Sequence, residues 1–148
     1  MIQVKDVVKS FDGNVVLNHV SANFEDGKVN MIIGQSGSGK TVLMKSMIGL
    51  HQIDGGEIIF DTRNGQENLA EMKEKEVRML HREVGMLFQG AALFDSMTVQ
   101  ENVMYPLEMF SDMTDEEKVE RARFCLERVN MPERAFGLMP SEISGGMQ

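Results

Sequence analysis

The chain has 148 residues, and 15 Lys and Arg against 23 Asp and Glu give a formal net charge of −8, which excludes a nucleic-acid binder that works by overall charge. One cysteine and three histidines, in no zinc-ligand spacing, exclude disulfide and structural-zinc scaffolds. No stretch reaches the ~18 apolar residues of a membrane span, and the N-terminus lacks the apolar core of a signal peptide. We therefore expect a cytoplasmic chain of about one domain.

Short strands separated by turns are predicted for the first part of the chain. Asp12-Gly13-Asn14 and Asp26-Gly27 are hairpin signals, because Gly and Asn tolerate the positive φ of tight turns. Asn64-Gly65 predicts one more hairpin turn. The apolar patterns around these turns predict strands at Ile2 and Val4 and over residues 16–24, 29–33, 57–60 and 84–88.

Helices are predicted between these strands and in the last third of the chain. Residues 40–50 follow a glycine-rich loop and are apolar on nearly every side, which predicts a buried helix. Residues 67–81 are predicted to be helical, and 98–105 form a short helix that Pro106 ends because proline lacks the amide donor. Thr114 and Glu117 have capping-box spacing. The apolar stripe that follows them predicts a helix to about residue 130: Val119, Ala122, Leu126 and Val129.

This order of elements predicts the fold class. Strands, a glycine-rich loop and a buried helix together indicate an α/β fold. The later helices form a segment set apart between about residues 97 and 139.

Residues 34–41 read Gly-Gln-Ser-Gly-Ser-Gly-Lys-Thr and fit the phosphate-loop pattern G-x-x-x-x-G-K-[ST]. A predicted strand before the loop and a helix after it let backbone amides and the positive end of a helix dipole surround phosphate oxygens. Lys40 would neutralise β/γ-phosphate charge, and the Thr41 hydroxyl would hold Mg²⁺. The pattern predicts binding of ATP or GTP by Gly34, Gln35, Ser36, Gly37, Ser38, Gly39, Lys40, Thr41 and Val42.

Three further motifs accompany the phosphate loop: Phe11-Asp12-Gly13, Met86-Leu87-Phe88-Gln89 and Ile143-Ser144-Gly145-Gly146-Met147. In this order they resemble the ATP-binding subunit of ABC transporters, from the first residue to the last. Residues 87–107 are most similar to the ATPase of Mla/MCE-type lipid transporters. The resemblance implies a P-loop NTPase fold with an N-terminal antiparallel β-subdomain and a helical subdomain, divided into residues 1–96 and 97–148.

The resemblance also implies roles for single residues. Phe11 resembles the aromatic residue that stacks on adenine, with Val16 beneath the base. Gln89 matches the glutamine whose amide oxygen touches Mg²⁺ or the attacking water, and with Lys40 it is the candidate catalytic residue. Ser144, Gly145 and Gly146 match the signature motif, which meets the γ-phosphate held by the opposite subunit. The usual fifth residue of that motif is glutamine, and here it is Met147.

The implied protein is an ATPase that powers lipid transport, with ATP and Mg²⁺ as cofactors. Its implied partners are a second ATPase subunit and a membrane permease, on the cytoplasmic face of the inner membrane. Large apolar residues predict a groove for a coupling helix of the permease: Leu93, Phe94, Met97, Val103, Met104, Tyr105, Leu107, Met109 and Phe110.

Hydrolysis in this family uses a hydrophobic strand that ends in Asp-Glu and a switch histidine, both after the signature motif, whereas this sequence ends at Gln148. We therefore expect a partial domain with an incomplete core sheet that hydrolyses no ATP alone. We also expect it to self-associate or to rearrange its core. The alternatives are an importer ATPase for another small solute, a P-loop kinase, and a nucleotide-binding module without hydrolysis. A DNA-repair ATPase is disfavoured, because no coiled-coil insertion or set of zinc cysteines separates the phosphate loop from the signature motif.

Overall fold

The computed structural model describes residues 1–62, 65–88, 90 and 92–148. These residues divide into two compact units, Met1–Met86 and Leu87–Gln148, and each is described by itself. The domain boundary after residue 96 stays a prediction.

A four-stranded antiparallel sheet makes up most of the first unit. Its strands are β1 (Ile2–Phe11), β2 (Asn14–Phe24), β3 (Gly55–Thr62) and β4 (Gly65–Asn68), in the order β2-β1-β3-β4. The sheet confirms the predicted antiparallel β-subdomain. At the predicted turn between β3 and β4, Thr62 pairs with Gly65, and Asn64 lies outside the described residues.

Two helices pack with this sheet around one apolar cluster. Helix α1 (Lys40–Met47) contributes Leu43 and Met47, and helix α2 (Glu74–Glu83) adds the half-buried Val77 and Leu80. The buried residues of the sheet are Val4, Val7, Leu17, Ile58 and Phe60. The prediction that α1 is buried on nearly every side is wrong. Met44 is 46% exposed, because the sheet covers only one face of this helix.

Two segments predicted as strands, residues 29–33 and 84–88, form no strand in the structure. Val29 and Ile33 are 94% and 84% exposed. An extended segment becomes a strand only when a neighbour pairs with its N–H and C=O groups. The described part of the chain places no such neighbour beside either segment, so the core sheet is incomplete, as the resemblance implies.

The helix predicted over residues 67–81 begins later than its apolar pattern suggests. Asn68 ends β4, a 3-10 turn spans Leu69–Glu71, and α2 starts at Glu74. The Oδ1 atom of Asn68 accepts a hydrogen bond from the amide of Ala70 at 3.2 Å. This local side-chain bond favours a turn over a continuous helix.

The second unit contains helices α3 (Val99–Phe110) and α4 (Asp115–Arg128) and 3-10 turns at Glu133–Ala135 and Pro140–Glu142. Val99, Leu126 and Phe136 form its buried cluster. The capping box is confirmed, since the Thr114 amide donates to Glu117 Oε2 at 2.8 Å and the Glu117 amide donates to Thr114 Oγ1 at 3.3 Å. Val129, predicted on the buried stripe, lies just beyond the end of α4 and is exposed.

Pro106 does not end the helix that contains it. Helix α3 continues through Pro106 to Phe110, and a capping box of Thr98 and Glu101 holds its start. The proline removes a single amide donor, whereas packing of α3 against α4 stabilises the whole helix, and packing usually outweighs local propensity. Among the residues that the structure describes, no helix is long and apolar enough to cross a membrane.

Gly56 lies where β3 passes a bulge in β1. Its φ is +84°, and a Cβ at this position would stand 2.3 Å from the carbonyl oxygen of Asp6 and 2.5 Å from that of Lys5. The pairing of β1 with β3 shifts between Lys5 and Val8, and Asp6 itself has φ 53°. The bulge therefore requires a glycine opposite Asp6.

Gly56→Ala is expected to lower the free energy of unfolding by about 3 to 5 kcal/mol, because the methyl group would collide with backbone as well as strain φ. Gly13→Ala is the matched control, since Gly13 has φ +82° but open space around its Cβ position. Gly13→Ala should lower the free energy of unfolding by about 1 kcal/mol. Urea unfolding followed by circular dichroism measures both variants, and equal losses would contradict the role given to the collision.

Candidate nucleotide-binding site

The glycine-rich loop of residues 34–39 bends sharply just before α1. Gly37 and Gly39 have φ values of +80° and +88°, a region that favours glycine. A Cβ on Gly37 would meet nothing within 4 Å, whereas a Cβ on Gly39 would stand 3.0 Å from the carbonyl oxygen of Val16 and 3.1 Å from Leu17 Cδ2. Gly37 thus leaves the outer side of the loop open, and Gly39 lets the loop lie directly against β2.

Backbone amides at the start of α1 are available to an anion. The first hydrogen bond of the helix runs from the Leu43 amide to the Gly39 carbonyl at 2.8 Å. The amides of Gly39, Lys40 and Thr41 therefore have no acceptor within the described part of the chain, and no side chain caps this end of α1. These donors, together with the helix dipole, favour negative charge at the loop.

The side chain of Lys40 curls back over the loop. Its Nζ atom donates to the carbonyl oxygens of Gly34 at 2.8 Å and Gln35 at 2.6 Å. Within the same turn, the Ser38 amide donates to the Gln35 carbonyl at 3.2 Å. The same loop thus holds an ammonium group at its start and presents free amides at its end, which suits a polyphosphate rather than a neutral ligand.

The donor set also fits a nucleotide-bound Mg²⁺. The side chain of Thr41 is exposed at the start of α1, where its hydroxyl would be one oxygen ligand. No group of three or more His, Cys, Asp or Glu side chains within the described ranges is arranged to hold a metal ion. Phosphate oxygens and water would supply further ligands, and the predicted Mg²⁺ contact of Gln89 lies outside the described residues.

Phe11 and Val16 belong to the hairpin of β1 and β2. The Phe11 ring is 38% exposed, and the half-buried Val16 touches the phosphate loop at Gly39. Phe11 contacts the ring of His51 edge to face, with 5.3 Å between centroids and 76° between planes. Lys9 Nζ lies 5.2 Å from the Phe11 ring centroid. The structure thus brings Val16 to the phosphate loop and leaves part of the Phe11 ring accessible.

The other predicted site residues lie elsewhere. Ser144, Gly145 and Gly146 are exposed in the second unit, where the Ser144 carbonyl accepts from the Met147 amide at 2.8 Å. A Cβ on either glycine would meet nothing within 4 Å, so this turn is open to a ligand or a partner. Gln89 lies outside the described residues, and its role stays a prediction.

Sequence reasoning missed the groups around Phe11. Lys9 is two residues from Phe11 on a strand, so it shares a face with the ring, and this spacing was a usable signal. His51 and Asp54 follow α1 in the sequence, and no spacing in the sequence links them to Phe11. The Lys9 ammonium and the Ser10 amide hold the pKa of Asp54 below its usual range.

A loop that presents free amides at a helix start, with a lysine curled over it, defines a P-loop NTPase. The class can be narrowed further. Residues 17–148 match the protein-family model described as ABC transporter, and the chain belongs to this family.

Two curated relatives and one solved structure illustrate the similarity. The glutamine transport ATP-binding protein GlnQ of Escherichia coli (strain K12) is 36% identical over 100% of this chain and 59% of its own length. Protein TRIGALACTOSYLDIACYLGLYCEROL 3, chloroplastic, of Arabidopsis thaliana is 35% identical over 100% of this chain and 41% of its own length. The dimeric post-hydrolysis structure of the ATP-binding cassette MJ0796, bound to ADP and Pi, has a TM-score of 0.85 at 28% identity, over 99% of this chain and 65% of that one.

The similarity confirms the predicted fold, a partial ABC ATPase cassette with an antiparallel β-subdomain and helices. This chain spans 59% of GlnQ and 41% of the Arabidopsis protein.

The lowered pKa of Asp54 predicts acid sensitivity. The unfolded chain, with an ordinary Asp pKa near ~3.9, binds the proton before the folded chain does. The stabilisation is therefore complete above about pH 5, and it is lost as pH falls through the ordinary pKa and then the lower pKa of the folded state. Urea unfolding between pH 2.5 and 7 should show a steeper acid loss for the natural chain than for Asp54→Asn, and parallel curves would contradict the role of Asp54.

Proposed function

We propose that this chain is the ATP-binding part of an ABC transporter ATPase, which binds MgATP at residues 34–42. The observation that carries the proposal is the loop itself, with free amides at Gly39, Lys40 and Thr41 and with the Lys40 ammonium bonded to the Gly34 and Gln35 carbonyls. Family membership supports ATP as the nucleotide. It also disfavours a P-loop kinase.

The residues would act as follows when nucleotide binds. Lys40 exchanges its bonds to the Gly34 and Gln35 carbonyls for phosphate oxygens, and the α1 amides donate to the same phosphates. Thr41 would hold Mg²⁺, which would supply positive charge that neutralises the phosphates. The exposed Phe11 ring stacks on the base beside Val16.

Turnover would need groups beyond this loop. Gln89 is proposed to orient water, and the turn of Ser144, Gly145 and Gly146 is proposed to meet the γ-phosphate on a second subunit. The dimeric state of the MJ0796 cassette supports the two-subunit arrangement. We propose that residues 1–148 by themselves bind ATP without hydrolysing it, because the strand-end Asp-Glu and the switch histidine that the resemblance implies for hydrolysis are not among these residues. Phosphate release measured with MgATP tests this, and turnover by the pure chain would contradict it.

A small-solute importer is the better supported transport function, because GlnQ is named for glutamine transport and is 36% identical to this chain. Lipid transport is the second candidate. It is supported by residues 87–107 and by 35% identity to a protein whose name contains a galactolipid. Uptake of labelled amino acid or phospholipid by vesicles with the full-length ATPase and its permease distinguishes the two, and transport of phospholipid alone would contradict the first.

A permease partner is proposed for the apolar residues of α3 and the loop before it. Phe94, Met109 and Phe110 are exposed, and Phe94 packs on Tyr105 with 4.7 Å between ring centroids. Such a surface suits an apolar partner helix, and it would place the ATPase peripherally on the cytoplasmic face of the membrane. Met97 is half-buried, so the test uses Met109, which is 58% exposed: Met109→Glu in the full-length protein should reduce co-purification with the permease, and undiminished co-purification would contradict this site.

Lys40→Ala is expected to weaken MgATP binding by about 10- to 100-fold, because it removes charge-assisted hydrogen bonds of about 1.5 to 3 kcal/mol. Lys45→Ala is the matched control, since Lys45 lies in the last turn of the same helix. It should leave the Kd unchanged. Isothermal titration calorimetry measures both variants, and equal affinities for Lys40→Ala and the natural chain would overturn the proposed function.

A further inference from the structure

The Phe11 ring is held from two directions. Lys9 Nζ lies 5.2 Å from its centroid, and the His51 ring meets it edge to face at 5.3 Å. Lys9 comes from the same strand as Phe11, whereas His51 comes from the segment after α1. Two separate parts of the chain thus restrict the orientation of one exposed aromatic side chain.

Lys9 is itself fixed, by Asp54. Its side chain is only 14% exposed, and its Nζ donates to Asp54 Oδ1 at 2.8 Å. The other carboxylate oxygen of Asp54 accepts from the Ser10 amide at 2.6 Å. The Asp54 amide in turn donates to the Val8 carbonyl at 2.8 Å. Three hydrogen bonds therefore clamp Asp54 to the end of β1, immediately before Phe11.

We propose that Lys9, Asp54 and His51 are positioning residues that hold the Phe11 ring for stacking on a purine base. This inference rests on the proposed function, in which Phe11 stacks on the base. The side chains of Lys9 and His51 contact Phe11, and that of Asp54 bonds to Lys9 and Ser10, so these partners all lie on β1 and outside residues 34–42. Their effect should therefore fall on the base and not on the triphosphate.

The size of the effect follows from preorganisation. A ring without its clamp samples other rotamers, and ordering it again on binding costs affinity. Ordering one side chain corresponds to a loss of about two- to tenfold. Loss of a hydrogen bond to phosphate would instead weaken the binding of both ATP and inorganic triphosphate.

The test measures the Kd of the 148-residue chain for MgATP and for inorganic triphosphate by calorimetry. Lys9→Met keeps the aliphatic stem and removes the charge, Lys9→Arg keeps both the ion pair and the cation on the ring, and Asp54→Asn removes the ion pair from the other side. Lys5→Met is the matched control, an exposed lysine of the same strand. Lys9→Met and Asp54→Asn should weaken ATP binding about two- to tenfold and leave triphosphate binding unchanged. Lys9→Arg and Lys5→Met should resemble the natural chain.

Other results would overturn the inference in distinguishable ways. If Phe11→Ala weakens ATP binding but Lys9→Met and Asp54→Asn do not, the positioning role is wrong and the proposed function stands. If these variants weaken ATP and triphosphate binding equally, their role is structural only. If Phe11→Ala has no effect on ATP affinity, the ring does not stack on the base. If Lys40→Ala changes the affinity for neither ligand, the proposed function fails, and this inference fails with it.

Discussion

The site depends on the close approach of Gly39 to β2. A side chain at Gly39 would stand 3.0 Å from the Val16 carbonyl oxygen, so only glycine lets the phosphate loop rest on the sheet at this φ. Because β2 pairs with β1 along the hairpin, the packing of Gly39 on β2 ties the phosphate loop to the strand that ends at Phe11. The predicted triphosphate site and the predicted base site are therefore built on one sheet.

Two backbone carbonyls of the phosphate loop compete with a bound phosphate for the ammonium group of Lys40. Lys40 Nζ already has two carbonyl acceptors, on Gly34 and Gln35. A ligand must offer more negative charge than these carbonyls to draw the ammonium away, and a polyphosphate does so whereas a monoanion does so weakly. The same carbonyl bonds keep the lysine close to its place of action, so little side-chain entropy remains to be lost on binding.

The elements that could be predicted from the sequence are those that local residue patterns determine. The phosphate loop, the hairpin of β1 and β2 and the capping box at Thr114 all follow from residue types at fixed spacing, and the structure contains each element. The prediction of a strand at residues 29–33 was wrong, because a strand forms only beside a pairing neighbour and a local apolar run does not reveal that neighbour. The prediction that Pro106 ends its helix was wrong, because the packing of α3 outweighed the loss of one backbone amide donor. The contacts of His51 and Asp54 with β1 could not be foreseen, since 40 or more residues separate each from its partner on that strand.

The proposed function depends on the backbone amides at the start of α1, which bind the phosphates of ATP. The most direct measurement is a titration of the ¹⁵N-labelled chain with MgATP, followed amide by amide with nuclear magnetic resonance. We expect the largest chemical-shift changes at residues 37–42, with ADP shifting the same amide signals and adenosine leaving them unchanged. Shifts confined to other residues, or equal shifts at residues 37–42 with adenosine, would contradict it.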